Sequence, residues 1–488
     1  MSELQWIFAF MLITYITLGS FIAYFSRRYG IKSSRDYFVS GHNLGWFLAS
    51  MTYAATTYSA FMMVGLVGLT YSTGIGALGF ELAYLLVTVV ILALLGSNVW
   101  KMARERGWIS PSEMLSDLYE SNYIGYMTIG IYLIAMIPYL AAQMVGVASI
   151  FEGLGTRYEV GLFVIAILTL IWIVLAGMWS VATTDAYQGI WMLSAALILI
   201  FLLLVGIIPS YNTSLETITK ALSEDGILGI TDFWSIQTFL AYTIPWIFFA
   251  VTNPQVVVRL YIHKDKASYN KSVVLFSIFG FIYTIAVIFI GLIARGLTEL
   301  GFFEKIARHD MVTPMLVSKL NPVAASFIYI SILAAAITTA NSIVLAVASS
   351  FVRDLIEKRG LKNINTLRAS NIIVAFIIII SAILAYLRIG FVVDLSVLTS
   401  VMLLPLAPVT IAAWLMPNVI KKPFSRKFAS ISLILGFFMA LIFAIYLGPR
   451  RTFLTSYFGL PISAIILILS TIIVIIGCLI ERIRRIRH

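Results

Sequence analysis

Residues 45–74 read "GWFLASMTYAATTYSAFMMVGLVGLTYSTG". The uncharged span around them, 44–72, would be about 43 Å long as continuous helix, whereas a bilayer core is about 30 Å thick. Its middle holds a hydroxyl-rich cluster from Thr52 to Ser59, at the depth where hydrocarbon tolerates polar groups least. A lipid-facing helix does not place such a cluster there. Tilt accounts for the length alone. Unwound backbone accounts for length and composition together, because it is tolerated at mid-membrane where it lines a protein-enclosed cavity.

The whole chain fits that solvent. Of its 488 residues 61% are hydrophobic and 11% charged, with mean hydropathy +0.99, against about 25% charged in soluble domains. The sequence therefore predicts an all-α integral membrane protein. A single cysteine, Cys478, excludes a disulfide framework within the chain and any cysteine-based metal cluster. Nearly uncharged stretches of membrane-crossing length number thirteen: 5–25, 44–72, 77–100, 122–151, 159–179, 188–209, 237–258, 273–297, 323–351, 369–387, 391–416, 428–447 and 461–480. The opening "MSELQW" lacks a basic region and a small-residue cleavage site, so the first span is expected to remain as a membrane helix.

The formal charge of +11 points to nucleic acid only if the basic residues form one patch. They alternate between loops instead. With the N-terminus outside and the C-terminus cytoplasmic, the inner side holds Arg27, Arg28, Lys32 and Arg35; Lys101, Arg104 and Arg106; and Arg259, Lys264, Lys266 and Lys271. It continues with Arg353, Lys358, Arg359, Lys362 and Arg368; Lys421, Lys422, Arg426 and Lys427; and Arg482, Arg484, Arg485 and Arg487. This is most of the 33 basic residues, as expected of cytoplasmic loops in a multi-pass protein of the cell membrane. No nucleic-acid partner is expected. The outer loops near 210–236 and 299–322 are long enough for short surface helices, and no soluble domain is expected.

The seventh span, "TFLAYTIPWIFFAVTNPQVVVR" (238–259), contains Pro245 and Pro254, each of which removes a helical hydrogen bond. Thr56 and Thr57 mark the corresponding break in the second span. Two discontinuous helices five spans apart suit a five-plus-five inverted-repeat core. Its halves would be 44–209 and 237–416, with 1–43, the outer loop 210–236 and 417–488 at the periphery.

Four stretches carry a more specific likeness: "SRDYFVSGHNLGWFLASMT" (34–52), "VATTDAYQG" (181–189), "NPQVVVRLY" (253–261) and "AAAITTANSIVLAVASSFVRDL" (334–355). With them the chain resembles the sodium:solute symporter family, which includes sodium-coupled proline, pantothenate and sugar transporters. The resemblance implies the inverted-repeat fold and sodium as the coupling ion, with no other cofactor. On a helix the backbone oxygen of Ala335 lies beside the side chains of Thr338 and Thr339, which would supply neutral oxygen ligands to a small hard cation. Ordinary small-residue packing, with both hydroxyls bonded to the preceding turn, would produce the same spacing. The resemblance implies that carbonyls freed at the break of the second span, Ala55 and Tyr58, complete the shell. The proline branch commonly has an aspartate where this chain has Thr57, so the expected site binds one sodium through uncharged oxygens.

Glu81 and Asp394 lie a turn inside the outer ends of their spans and keep proton coupling open as an alternative. The histidines, His42, His263, His309 and His488, fall in loops or at the C-terminus, which leaves no histidine relay. For the solute the candidates are Glu81, which matches a glutamate of the sugar branch, Trp246, which matches a tryptophan of the proline branch, and Phe249, which falls at the sugar branch's aromatic gate. Gln143, alone in "YLAAQMVG", is a further candidate or a bridge between helices. Asp185 is an ion-path candidate, or else an ion-pair partner or helix cap. The formal G-x-G-x-x-G at 74–79, "GIGALG", joins two membrane spans and lacks the strand a dinucleotide site requires.

Three function classes are distinguishable. A symporter of a small polar solute, an amino acid or carboxylate such as proline or pantothenate or alternatively a sugar, explains the broken spans and the hydroxyls. A cation channel would share the ion ligands without a closed solute pocket. An enzyme would need a cluster of His, Cys or paired carboxylates in the bilayer, which the sequence does not offer. Oligomeric state is not legible.

Overall fold

The computed structural model of the protein describes residues 2–26, 33–175, 177–357 and 366–487. Of the basic residues used above for orientation, Arg27, Arg28, Lys32, Lys358, Arg359 and Lys362 lie outside the described residues, as does His488.

Hydrocarbon cannot satisfy a backbone N–H or C=O, so the spanning elements are helices. Among the described residues nine helices are long and apolar enough to cross a membrane, or eleven when two bent pairs are each taken as one span. In chain order the main elements are α1 (Glu3–Ser26), α2 (Trp46–Thr57), α3 (Phe61–Thr73), α4 (Gly76–Arg106), α5 (Asn122–Gly153), α6 (Tyr158–Leu175), α7 (Met178–Ser210) and α8 (Ile236–Ile247). They continue with α9 (Pro254–Tyr261), α10 (Lys266–Glu299), α11 (Pro322–Ile356), α12 (Thr366–Tyr386), α13 (Val392–Leu403), α14 (Leu406–Leu415), α15 (Pro423–Leu447) and α16 (Ile462–Arg487). The expected spans 159–179 and 237–258 correspond to α6 and to the run from α8 to α9. Helix starts carry side-chain caps of the usual kind: Ser235, Asp265 and Asn321 accept from Thr238 N, Ser268 N and Ala324 N.

Burial separates core from periphery. The most apolar stretch of α11 is 100% buried and that of α5 83%, against 22% for α1. Around α11 pack α5 and α7, while α2 lies against α7, α10 and α11. The helices α15 and α16 form their own pair at the edge. The outer loops carry short helices, Leu215–Glu224 and Val312–Val317. The first is tied down by the Arg295–Asp225 ion pair at 2.8 Å.

The breaks fall close to where the sequence places them, with three differences. In the second span the helix axis turns by 44°. Thr56 and Thr57 are the last helical residues, and the turn itself is at Tyr58 (φ −91°, ψ 81°) through Ala60. In the seventh span Pro245 lies inside α8, whereas Pro254 opens α9. The interruption there is at Phe248 and Asn253 (ψ 120°), because the residue before a proline is driven into the extended region. The third difference is a break the sequence analysis did not place: span 391–416 is not one helix but bends by 52° between α13 and α14, at Leu404 and Pro405. Pro405 cannot donate to the turn before it. The long span at 323–351, by contrast, is unbroken through Phe351.

Close helix approach depends on a few glycines. A Cβ at Gly68 in α3 would lie 2.3 Å from the backbone oxygen of His309. At Gly130 in α5 it would meet nothing within 4 Å. Gly68→Ala is therefore expected to lower stability by about 1–3 kcal/mol, and Gly130→Ala to leave it unchanged or raise it by up to about 1 kcal/mol. Thermal unfolding of the detergent-solubilised variants checks both.

Candidate functional site

A helix that stops inside a membrane protein leaves carbonyls without partners. At the end of α2 two of them face α11. The Thr338 hydroxyl donates to Ala55 O at 2.6 Å and approaches Ala335 O at 3.5 Å, while the Thr339 hydroxyl donates to Thr56 O at 3.1 Å. The Thr56 and Ser342 hydroxyls are 2.9 Å apart. All these residues are buried. Ala55, Thr56, Ala335, Thr338 and Thr339 thus meet along one seam between α2 and α11, built of uncharged oxygens. Alanines at 334–336 and 340 leave room for the two backbones to meet.

Tyr58 supplies the bend. Its ring points away from the threonines to α10, stacking on Phe276 (5.7 Å between centroids) and Phe279 (5.9 Å). Gly280 makes room for it, since a Cβ there would stand 2.1 Å from the Tyr58 hydroxyl. The far side of the break is held by Gln143, whose Oε1 accepts from Ala60 N at 3.2 Å and whose Nε2 reaches Tyr139 O at 3.3 Å. Gln143 is therefore a bridge between α5 and the break. Its amide has both hydrogen bonds inside the protein.

Below the threonines lies a buried ion pair. Arg259 of α9 reaches the Asp185 carboxylate of α7 at 3.2 Å, and both side chains are almost fully enclosed. Its guanidinium also donates to Thr52 Oγ1 (2.9 Å), Thr52 O (3.1 Å), Gln255 O (2.6 Å) and Ser342 Oγ (2.6 Å). Thr52 in turn donates to Asp185 at 2.5 Å. This corrects the sequence analysis, which counted Arg259 among the inner-loop charges. The signal was present: an arginine between "VVV" and "LY" in a helix with no exposed face. Asp185 is the eighth residue of α7, about two turns from its start, so it is an ion-pair partner and not a helix cap.

The solute candidates gather on the other side of the break. Trp246 packs against Phe61 (4.8 Å), Phe249 (5.4 Å), Phe80 (5.9 Å) and Tyr84 (5.9 Å), and Tyr139 lies 6.0 Å from Phe249. Glu81 in α4 is 1% exposed and stands beside the Trp246 indole nitrogen without closing an aligned hydrogen bond. Glu81, Trp246 and Phe249 therefore share one aromatic enclosure, with Gln143 behind it. Asp394 is elsewhere, accepting from Phe391 N at 3.3 Å at the start of α13. Next to it Asp310, in the preceding outer loop, accepts from Val392 N with both oxygens. Burial pushes its carboxyl up to about 7.

A family model described as "Sodium:solute symporter family" matches residues 37–389, which contain the threonine site, the ion pair and the enclosure. The chain belongs to this family. Among curated relatives, the sodium/pantothenate symporter of Haemophilus influenzae is 26% identical over 353 residues, 70% of each chain. Sodium/proline symporter 2 of Staphylococcus saprophyticus is 23% identical over 367 residues, covering 72% of this chain and 68% of that one. Among solved structures, a sodium-coupled sialic acid symporter in a substrate-bound outward-open state aligns with TM-score 0.75 over 96% of this chain and 98% of its own, at 16% identity. A nucleobase-cation-symport-1 family transporter aligns with TM-score 0.59 at 10% identity, covering 93% of this chain and 96% of its own.

This member of the sodium:solute symporter family thus has the five-plus-five inverted-repeat fold of those transporters. It is a multi-pass membrane protein that couples sodium to the movement of a small solute, and not an enzyme. Breaking a buried ion pair by removing one partner leaves a charge stranded. Asp185→Asn and Arg259→Gln are each expected to cost about 3–5 kcal/mol of stability, and the double variant about 1–3 kcal/mol less than their sum. Denaturation of the four proteins in mixed micelles measures the cycle.

Proposed function

We propose that the protein takes up a small polar organic solute by alternating access, driven by one sodium ion bound at Ala55, Tyr58, Ala335, Thr338 and Thr339. The observation that carries this is the meeting of carbonyl oxygens of α2 with hydroxyl oxygens of α11 at 2.6 and 3.1 Å, with Ala335 O 3.5 Å from the Thr338 hydroxyl. A sodium ion needs several oxygen ligands and no carboxylate when carbonyls and hydroxyls are already in place. Both threonine hydroxyls donate to carbonyls at the end of α2: Thr338 to Ala55 O, on which the ion would draw, and Thr339 to the neighbouring Thr56 O. Rotating those two protons outward turns the same oxygens into a cage, which the Tyr58 carbonyl at the bend completes.

The ion would join one helix from each repeat, taken as 44–209 and 237–416, with 1–43, 210–236 and 417–488 moving less as peripheral segments. It would hold the broken helix in the shape that accepts solute at Glu81, Trp246 and Phe249, with Gln143 fixing the far side of the break. Asp185 lies close by, and Arg259 already neutralises it, which favours one sodium over two. The N-terminus outside and the C-terminus in the cytoplasm agree with Lys101, Arg104, Arg106, Lys264, Lys266 and Lys271 on one side of the bilayer with Lys421, Lys422, Arg426 and Lys427. The solute class is an amino acid or carboxylate, as in the proline and pantothenate symporters that the chain resembles. At 100 mV one charge supplies about 2.3 kcal/mol. A tenfold sodium gradient adds about 1.4 kcal/mol, enough together for a roughly 500-fold gradient of a neutral solute.

Sodium titrated against potassium into the purified protein is expected to raise its melting temperature along a single-site curve. Thr338→Ala and Thr339→Ala should each raise the half-saturating sodium concentration about tenfold, equivalent to about 1.4 kcal/mol. A double variant with an unchanged sodium response would remove this site.

A further inference from the structure

The enclosure around Glu81 contains a charge problem. Glu81 is 1% exposed, its Oε2 has no hydrogen-bond partner, and among the described residues it has no ion-pair partner. The nearest fully buried cation in the core, Arg259, is committed to Asp185, Thr52, Gln255 and Ser342. What does surround Glu81 is aromatic: the Trp246 nitrogen beside it, and Tyr58, Tyr84 and Tyr139 within electrostatic range. The nitrogen of Trp246 and the hydroxyl of Tyr58 are themselves buried with no closed hydrogen bond, and the Tyr139 hydroxyl faces Ser59.

A buried carboxylate is tolerated when an opposite charge meets it. A cation is held best where aromatic rings stand close to the carboxylate, since their electron-rich faces attract it too. An anion admitted to the same space would find no positive group there, whereas an ammonium would pair with the Glu81 carboxylate. We infer that this enclosure selects solutes bearing an organic ammonium group, with Glu81 as the specificity-determining residue that pairs with it and turns away solutes whose net charge is negative. The inference rests on the symport reading and narrows it. A proline-like solute, whose secondary ammonium can face Glu81, fits the site, and a pantothenate-like one, with a carboxylate and no amine, does not. The rings pack on one another at 4.8 to 5.9 Å between centroids and are buried, so an ammonium held among them would be desolvated.

The test uses the purified full chain in detergent, in sodium and in parallel in potassium, with choline, glycine betaine, L-proline, pantothenate and glucose as probes of thermal stability. In sodium at least one ammonium-bearing probe is expected to stabilise the protein, with pantothenate and glucose giving no shift. Glu81→Gln is expected to weaken the ammonium probe at least about 30-fold while keeping the stabilisation by sodium alone, which reports that the variant is folded. Stabilisation by pantothenate or glucose as strong as by the best amine overturns the inference. So does the absence of any amine response, or an amine affinity unchanged in Glu81→Gln. Loss of the sodium response itself counts against the ion site instead, and the amine panel in potassium still decides the role of Glu81.

Discussion

The structure depends on how it satisfies a helix that stops in the middle of a membrane. Each end of such a break exposes backbone groups that lipid cannot satisfy, so the break persists only if neighbouring side chains replace the lost bonds. Here the carbonyl end is met by Thr338 and Thr339 from α11, and the amide end by Gln143 from α5. Ser59 closes its own turn by accepting from Phe61 N at 3.1 Å. This demand explains why the most apolar stretch of α11 is fully buried and why it is rich in small residues. Its hydroxyls must reach another backbone, and a larger side chain would hold the two helices apart.

The same demand shapes the electrostatics. A neutral cage of the kind proposed would bind and release a cation readily, because no fixed charge would trap it there. A carboxylate in the cage would strengthen binding and slow release. The acidic residue nearest the cage is Asp185, and Arg259 occupies it from the opposite repeat. Ser342 and Thr52 connect the pair to the cage through hydroxyls. The two layers differ in kind: an ion pair that ties α7, α9 and α2 together, and beside it a set of uncharged oxygens whose hydroxyl protons are free to rotate.

Much of this was legible in the sequence, and the parts that were not share a cause. The hydroxyl cluster at 52–59 and the "AITTANS" of α11 stand out because hydrocarbon gives polar residues no other reason to gather. Breaks at Tyr58 and Asn253 follow from composition and from a proline. The break at Pro405 was missed because "LLPLAP" is apolar throughout, and a kink that exposes no polar side chain leaves only the proline as a signal. Arg259 was misplaced because a loop charge and a buried charge at a span's end look alike until the partner is known, and Asp185 is 74 residues away. Gln143 has the same difficulty. An isolated amide in a greasy helix serves a ligand or a backbone equally well, and only the position of Ala60 decides between them.

The break also gives a physical reason for ion and solute to act on each other without touching. Residues 55–60 are one short piece of chain, with the threonine cage at its start and Gln143 at its end. Gln143 also bonds the carbonyl of Tyr139, a residue whose ring belongs to the aromatic enclosure. Phe61, the next residue after the break, packs directly on Trp246. Any ligand that draws Ala55 and Tyr58 toward α11 therefore moves the backbone on which Phe61 is mounted, and with it one wall of the space beside Glu81. Coupling of this kind is reciprocal: a solute that fixes the position of Phe61 would also fix the carbonyls proposed to hold the ion. A continuous helix could not do this, because its own hydrogen bonds would hold those carbonyls whether or not a ligand was present.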